Sequence, residues 1–187
     1  MTDSSSLKER RDLEIQWVVF SAPGARVAEA RASASSFLRG AARHRVTIGD
    51  FQESYFPSQW PGIKNLFEQV KSEFNPDVVF THYREDRHQD HRVLSDLAWN
   101  TFRNHLILEY EILKYDGDLG APNAFVPLPK VIADRKVELL LRHFRSQRSK
   151  HWFTADTFQA MLRIRGIECA SPSGRAEAFY GRKVLVG

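Results

Sequence analysis

Short apolar runs alternate with longer amphipathic segments along this chain, and that alternation restricts its fold more than any other feature. Strands are predicted where apolar and β-branched residues are bounded by turn residues, at 14–22, 45–48, 78–81, 106–113, 124–128 and 178–186. Helices are predicted where apolar residues recur at helical spacing, at 25–42, 58–74, 89–102, 130–144 and 155–164. Strands alternating with helices indicate an α/β fold with a mainly parallel sheet flanked by helices.

Length and composition are those of one globular domain spanning residues 1–187. The 187 residues can bury a core, and 42% of them are hydrophobic. No apolar run approaches the roughly 20 residues that a membrane span requires. The first twelve residues are too polar for a secretory leader. We therefore expect a soluble, cytoplasmic protein with no membrane partner, while its oligomeric state stays open.

Charge and cysteine content narrow the choice of partner and of metal ligand. The net charge is +4, and basic residues gather in the C-terminal third. A nucleic-acid binder would show this pattern, but so does a solvated helix face. Because acidic residues are scattered and no nucleic-acid motif occurs, we expect no nucleic-acid partner. Cys169 is the only cysteine, so any metal must be held by histidines and carboxylates.

The N-terminal residues suggest a fold that is incomplete at its start. Residues 7–11 resemble the last turns of a helix that leads into the strand at 14–22. In a parallel sheet such a helix should follow a strand, and none precedes it here. We therefore expect the first strand and helix of the domain to be missing, with a sheet edge or gap beside residues 14–22.

The residues that carry chemistry lie between the predicted strand at 78–81 and the helix at 89–102. Three histidines and two aspartates fall within ten positions, namely His82, Asp86, His88, Asp90 and His91. His88 and His91 are three residues apart, so they share a face of a starting helix. Neutral imidazoles and carboxylates are ligands for Zn²⁺. Equally, an aspartate here could cap the helix, with the histidines as solvated loop residues.

The wider string, NPDVVFTH at 75–82 followed by DRHQDH at 86–91, resembles the second signature of the PIG-L/LmbE family of zinc-dependent N-deacetylases. That signature is an NPDVV strand followed by a His-x-Asp-His box. The resemblance extends to residues 17–22, the Ala- and Arg-rich helix after them, Ser146-Gln147 and the stretch 176–179. It implies a Rossmann-like α/β fold and hydrolysis of an N-acetyl group, often on glucosamine-type sugars.

The resemblance also implies a role for each residue of the box. His91 would be a zinc ligand, and His88 would stabilise the oxyanion of the tetrahedral intermediate. Asp90 would hold and charge-pair His88, while water on the metal would attack the acetyl carbonyl. Further candidates, for contact with an amino-sugar substrate, are His82, Arg84 and Asp86.

This sequence departs from the family pattern at the first signature, a His-Pro-Asp-Asp box. No His-x-Asp-Asp occurs in it, and that box supplies two zinc ligands and the general base. Zinc binding and catalysis by this polypeptide are therefore expected to be weak or absent. The alternative is a non-catalytic member that binds a sugar or a protein partner. A nucleotide-dependent enzyme is disfavoured because no Gly-rich phosphate loop occurs. The loop at 114–120 and the basic helix near 142–148 are candidate pocket walls.

Overall fold

The structure is a computed structural model that describes residues 12–184, apart from the side chain of Lys183. The helix end expected at 7–11 lies outside the described residues. The chain divides into two compact units, Met1–Asp50 with Pro129–Gln159 and Phe51–Leu128 with Ala160–Gly187. Its strands are β1 (Glu14–Val19), β2 (Arg43–Ile48), β3 (Val78–His82), β4 (Leu106–Tyr110), β5 (Ala124–Pro127) and β6 (Ala176–Lys183). Its helices are α1 (Arg26–Phe37), α2 (Trp60–Glu73), α3 (Gln89–Thr101), α4 (Lys130–His143) and α5 (Ala155–Glu168).

The first unit pairs β1 with β2 in parallel, in register from Glu14 opposite Arg43 to Val19 opposite Ile48. Helix α1 packs against α4, and His143 Nε2 lies 2.9 Å from the Ser36 hydroxyl. Within residues 12–184, β2 is the only strand that forms a ladder with β1. Among residues 12–184, β1 thus has one neighbouring strand in this sheet.

The second unit contains a four-stranded sheet in the order β3-β4-β6-β5. Strands β3 and β4 are parallel, whereas β6 runs antiparallel to both β4 and β5. The α/β class is confirmed, and the sheet is mixed. Strands β4 and β5 lie on either side of β6 and run in the same direction without being neighbours. Helix α3 packs against β3 and buries Val93, Leu94, Leu97 and Ala98.

Element boundaries differ most from the predicted ones at helix ends. Helix α1 stops at Phe37, five residues early, and Gly40 follows with a φ of +105°. Helix α5 instead runs four residues beyond its predicted end, to Glu168. It does so past Gly166, where an added Cβ would lie 2.3 Å from the backbone of Gly174. Only glycine allows the two backbone segments to come this close, so packing rather than helical propensity accounts for a glycine at position 166.

Among the described residues, no helix is both long and apolar enough to cross a lipid bilayer.

Candidate functional site

Strand β3 and helix α3 place the histidine segment beyond the carboxyl end of a parallel strand pair. His82 is the last residue of β3, opposite Tyr110 of β4. The Tyr83 amide continues this pairing by donating to the Tyr110 carbonyl at 3.0 Å. Six residues, 83–88, then lead into α3. In open α/β sheets this edge is where ligands bind.

His88 occupies the N-cap position of α3 and fixes where the helix begins. Its backbone is extended, and its Nδ1 accepts a hydrogen bond of 3.2 Å from the Asp90 amide. Its own amide donates to Asp86 Oδ1 at 2.7 Å. The imidazole thus takes the capping role usually filled by a hydroxyl or a carboxylate. Because Nδ1 accepts, the neutral ring carries its proton on Nε2.

The structure brings all three histidines of the segment together. The His82 and His91 rings stack with centroids 3.9 Å apart and planes within 9°. The His88 ring is a second neighbour of His91, with centroids 4.6 Å apart and an interplanar angle of 26°. Sequence spacing predicted only that His88 and His91 share a helix face. It did not predict that His82, nine residues from His91, stacks on the His91 ring.

Asp86 is the polar centre of the cluster and is only 2% exposed. Its Oδ2 accepts from His91 Nδ1 at 2.9 Å and pairs with Lys114 Nζ at 3.0 Å. Lys114 also forms an ion pair with Asp118. Burial alone would raise the pKa of Asp86, but the His91 hydrogen bond and charge, the His88 amide and Lys114 outweigh it and lower that pKa well below its ordinary value.

Burial is the largest influence on the pKa values of His82 and of its neighbour Tyr110. It lowers the pKa of His82 well below 6.5, and the nearby His91 charge adds to the effect. Burial, reinforced by the Asp86 charge, raises the pKa of Tyr110 to about 12. His82 Nδ1 is shielded from solvent and has no hydrogen-bond partner among the described residues. His82 is therefore a neutral ring on which His91 stacks.

The depressed pKa of Asp86 predicts a loss of stability in acid. An unfolded aspartate has a pKa near 3.8, so as pH falls below about 4 the unfolded state takes up a proton that the folded state resists. The contribution is therefore complete above that pH and is lost below it. Urea unfolding at about pH 6 and about pH 3 should show a smaller acid loss in Asp86→Asn than in wild type. The exposed Asp96→Asn serves as control, and an equal acid loss in all three proteins would contradict the assignment.

Asp90 is placed differently from the expectation. We expected its carboxylate to hold and charge-pair His88, but it accepts instead from the amides of Ser54, at 2.6 Å, and Phe56, at 3.0 Å. Only the backbone amide of Asp90 contacts the His88 ring. Ser54 has a left-handed φ of 70°, an uncommon conformation for a non-glycine residue. Asp90 therefore fixes a strained loop against the start of α3.

The residues expected to contact substrate are largely engaged within the protein. The Arg84 guanidinium pairs with buried Glu109 and lies over the Trp99 ring. Both carboxylate oxygens of Asp86 already accept hydrogen bonds within the protein, and the His82 ring lies beneath that of His91. Sequence reasoning missed Glu109, although its position supplied a signal. It lies two residues from buried Ile107 along β4, so it falls on the buried face of the strand.

A cavity of about 380 Å³ adjoins Asp86 in the second unit. The predicted loop at 114–120 does contribute to its wall, through residues 117–120. The other lining residues are Tyr83, Glu85, Arg87, Arg92 and Asp86 itself. The basic residues near 142–148 belong to the first unit.

His91 has the chemistry of a zinc ligand. Its Nδ1 is bonded to a carboxylate, which leaves Nε2 as the donor atom, and carboxylate support is usual behind a zinc-bound histidine. Within residues 12–184, however, no group of three or more His, Cys, Asp or Glu side chains is placed to hold a metal ion. A zinc site would therefore need ligands in addition to His91.

Comparison with solved structures shows the fold. The chain is similar to the conserved protein TT1542 from Thermus thermophilus (20% identity, 92% of this chain, 83% of that chain, TM-score 0.68). It is also similar to the N,N'-diacetylchitobiose deacetylase of Pyrococcus horikoshii (18%, 89% and 72%, 0.60). A third structure is GalB, the 4-carboxy-2-hydroxymuconate hydratase of Pseudomonas putida (15%, 93% and 85%, 0.64). A deacetylase and a hydratase share this fold, so the fold alone does not identify the reaction.

Comparison of the sequence with families is more specific. No curated protein matches it. Residues 5–102, just over half of the chain, match the family PIG-L, described as GlcNAc-PI de-N-acetylase. The matched stretch includes the whole histidine segment. The chain therefore belongs to the PIG-L family.

Proposed function

We propose that this chain is a zinc-dependent amide hydrolase that removes an N-acetyl group from an amino-sugar derivative, with weak or no turnover by itself. The observation that carries the proposal is the adjacent pair His88 and His91. Their bonding leaves one Nε2 with a proton and the other with a lone pair. Membership of the PIG-L family, which is generally metal-dependent, supports the reaction type.

Each histidine would do a different task. His91 would hold zinc through Nε2, and zinc, when bound, supplies Lewis-acid chemistry. His88 would donate from Nε2 to the acetyl oxygen as negative charge develops on it. His82 would keep water from the underside of His91 and fix its plane. The cavity beside Asp86, of about 380 Å³, has the size and the polar wall that a sugar needs.

Turnover is expected to be low because the sequence lacks the His-x-Asp-Asp box. That box would supply further ligands and a general base, and neither aspartate of the described histidine segment is free to replace it. Asp86 and Asp90 are each bonded to two or more donors. A carboxylate so engaged is a poor base.

Zinc content tests the proposal. Purified protein incubated with zinc and desalted is expected to hold less than one zinc per chain by elemental analysis, since the described residues offer His91 no companion ligands. His91→Ala should abolish that zinc, whereas His105→Ala should not, because His105 bonds Asn75 away from the cluster. Acetate release from N-acetylglucosamine derivatives should follow the zinc content. Equal zinc in wild type and His91→Ala would contradict the ligand assignment.

A non-catalytic sugar-binding role is the second candidate, and the incomplete set of metal ligands within residues 12–184 favours it. Titration calorimetry with N-acetylglucosamine distinguishes the two. Binding that persists in a chelator, without acetate release in zinc, supports the binding role. Binding or hydrolysis that requires zinc supports the hydrolase.

A further inference from the structure

We infer that Asp86 is a positioning residue that, together with the Asp90 amide, holds His91 and His88 in opposite tautomers. The consequence for zinc binding rests on the proposed function. The tautomers themselves are a property of the metal-free protein and do not depend on it.

The tautomer of His91 follows from its partner. An ionised carboxylate can only accept a hydrogen bond, so the proton of the 2.9 Å contact with Asp86 Oδ2 lies on His91 Nδ1. In the neutral His91 ring, Nε2 then bears a lone pair. The ring cannot easily turn over, because His82 stacks on it at 3.9 Å and His88 lies at 4.6 Å.

The tautomer of His88 follows from the opposite kind of partner. A backbone amide can only donate, so His88 Nδ1 must offer a lone pair to the Asp90 amide. The proton of the neutral ring is therefore on Nε2. Asp86 also contributes here, because its Oδ1 fixes the His88 backbone by accepting from its amide at 2.7 Å.

Lys114 and Asp118 hold the Asp86 carboxylate in place, so Asp86 can act as a positioning residue. Lys114 Nζ lies 3.0 Å from the oxygen that His91 contacts, and Lys114 is only 9% exposed. Asp118 pairs with Lys114 and also accepts from the Arg87 amide at 2.8 Å. The carboxylate therefore keeps its charge and its direction without a metal present.

The result is a pair of neighbouring imidazoles with complementary Nε2 atoms. One presents a lone pair, as a metal ligand must, and the other presents an N–H, as an oxyanion donor must. Both states are set before any ligand arrives. The protein therefore need not reorganise either ring on binding.

Nitrogen-15 NMR of histidine-labelled, metal-free protein tests the assignment directly. Long-range proton–nitrogen spectra at alkaline pH, above the ordinary imidazole pKa, should show His91 protonated at Nδ1 and His88 at Nε2. The variants His88→Gln and His91→Gln assign the signals. Identical or reversed tautomers in wild type would overturn the inference, and this measurement needs no folded Asp86 variant.

Asp86→Leu, which leaves no hydrogen-bond acceptor for His91 Nδ1, tests whether Asp86 is the cause, with the exposed Asp96→Leu on α3 as matched control. Asp86→Leu should populate His91 protonated at Nε2 and weaken His91-dependent zinc binding by roughly 10- to 100-fold, while Asp96→Leu changes neither. An unchanged His91 tautomer in folded Asp86→Leu would overturn the role of Asp86. Wild type with the expected tautomers but no zinc binding would defeat the proposed function alone.

Discussion

Replacing Arg165 with methionine is expected to lower the free energy of unfolding by about 3–5 kcal/mol. Arg165 is 5% exposed at its side chain and Glu111 is 3% exposed, with 2.6 Å between Nη2 and Oε2. The variant leaves the Glu111 carboxylate buried without its cation, which is costlier than losing the pair as a whole. Urea unfolding followed by circular dichroism measures the loss.

Two variants separate this charge effect from simple loss of packing. Arg163→Met removes an exposed arginine of the same helix and should cost less than about 1 kcal/mol. The double variant Glu111→Gln with Arg165→Met removes both buried charges of the pair and should recover much of the loss. A cost for Arg165→Met no greater than for Arg163→Met would contradict the argument.

The Glu111–Arg165 ion pair also supports the cavity wall, so breaking the pair should change the cavity as well. Glu111 accepts from the Gly120 amide at 2.9 Å and from the Tyr180 hydroxyl at 2.6 Å. Tyr180 stacks on Tyr83, with ring centroids 3.9 Å apart. Gly120 and Tyr83 both line the cavity. Stability and the shape of the cavity thus depend on one carboxylate.

Local sequence patterns predicted the elements well, because periodicity and breakers act within a few residues. Helix α3 was expected at 89–102 and lies at Gln89–Thr101, while β3 was expected at 78–81 and lies at Val78–His82. The sheet direction was less predictable. Strand β6 follows helix α5, as a parallel strand would, yet it runs antiparallel to β4. Only tertiary pairing decides that direction.

The sequence predicted which residues form the site, but not which hydrogen bonds they make. The box at 88–91 and its place at the strand end follow from the sequence. The partners of Asp90 do not, since Ser54 and Phe56 are 36 and 34 residues away. Likewise nothing in the local pattern around Lys114 indicates that it reaches Asp86. Long-range hydrogen bonds of this kind depend on chain packing rather than on residue spacing.

His91→Ala and His88→Ala are expected to separate metal binding from turnover in a variant that carries a His-x-Asp-Asp strand and helix joined ahead of Leu7. Under the proposed function, the added box should raise zinc toward one per chain and confer hydrolysis of an N-acetylglucosamine derivative, because it would supply the companion ligands and the base. In that background His91→Ala should lose zinc, since Nε2 of His91 has no substitute. Elemental analysis and acetate release measure the two properties.

His88→Ala should keep the zinc but slow turnover by roughly 100-fold or more, the usual scale for a lost oxyanion donor. The reason is that His88 Nε2 bears a proton, which a carbonyl oxygen can accept and a metal ion cannot. His105→Ala controls for the loss of an imidazole elsewhere and should change neither property. If His88→Ala abolished zinc binding while His91→Ala preserved it, the two roles would be reversed.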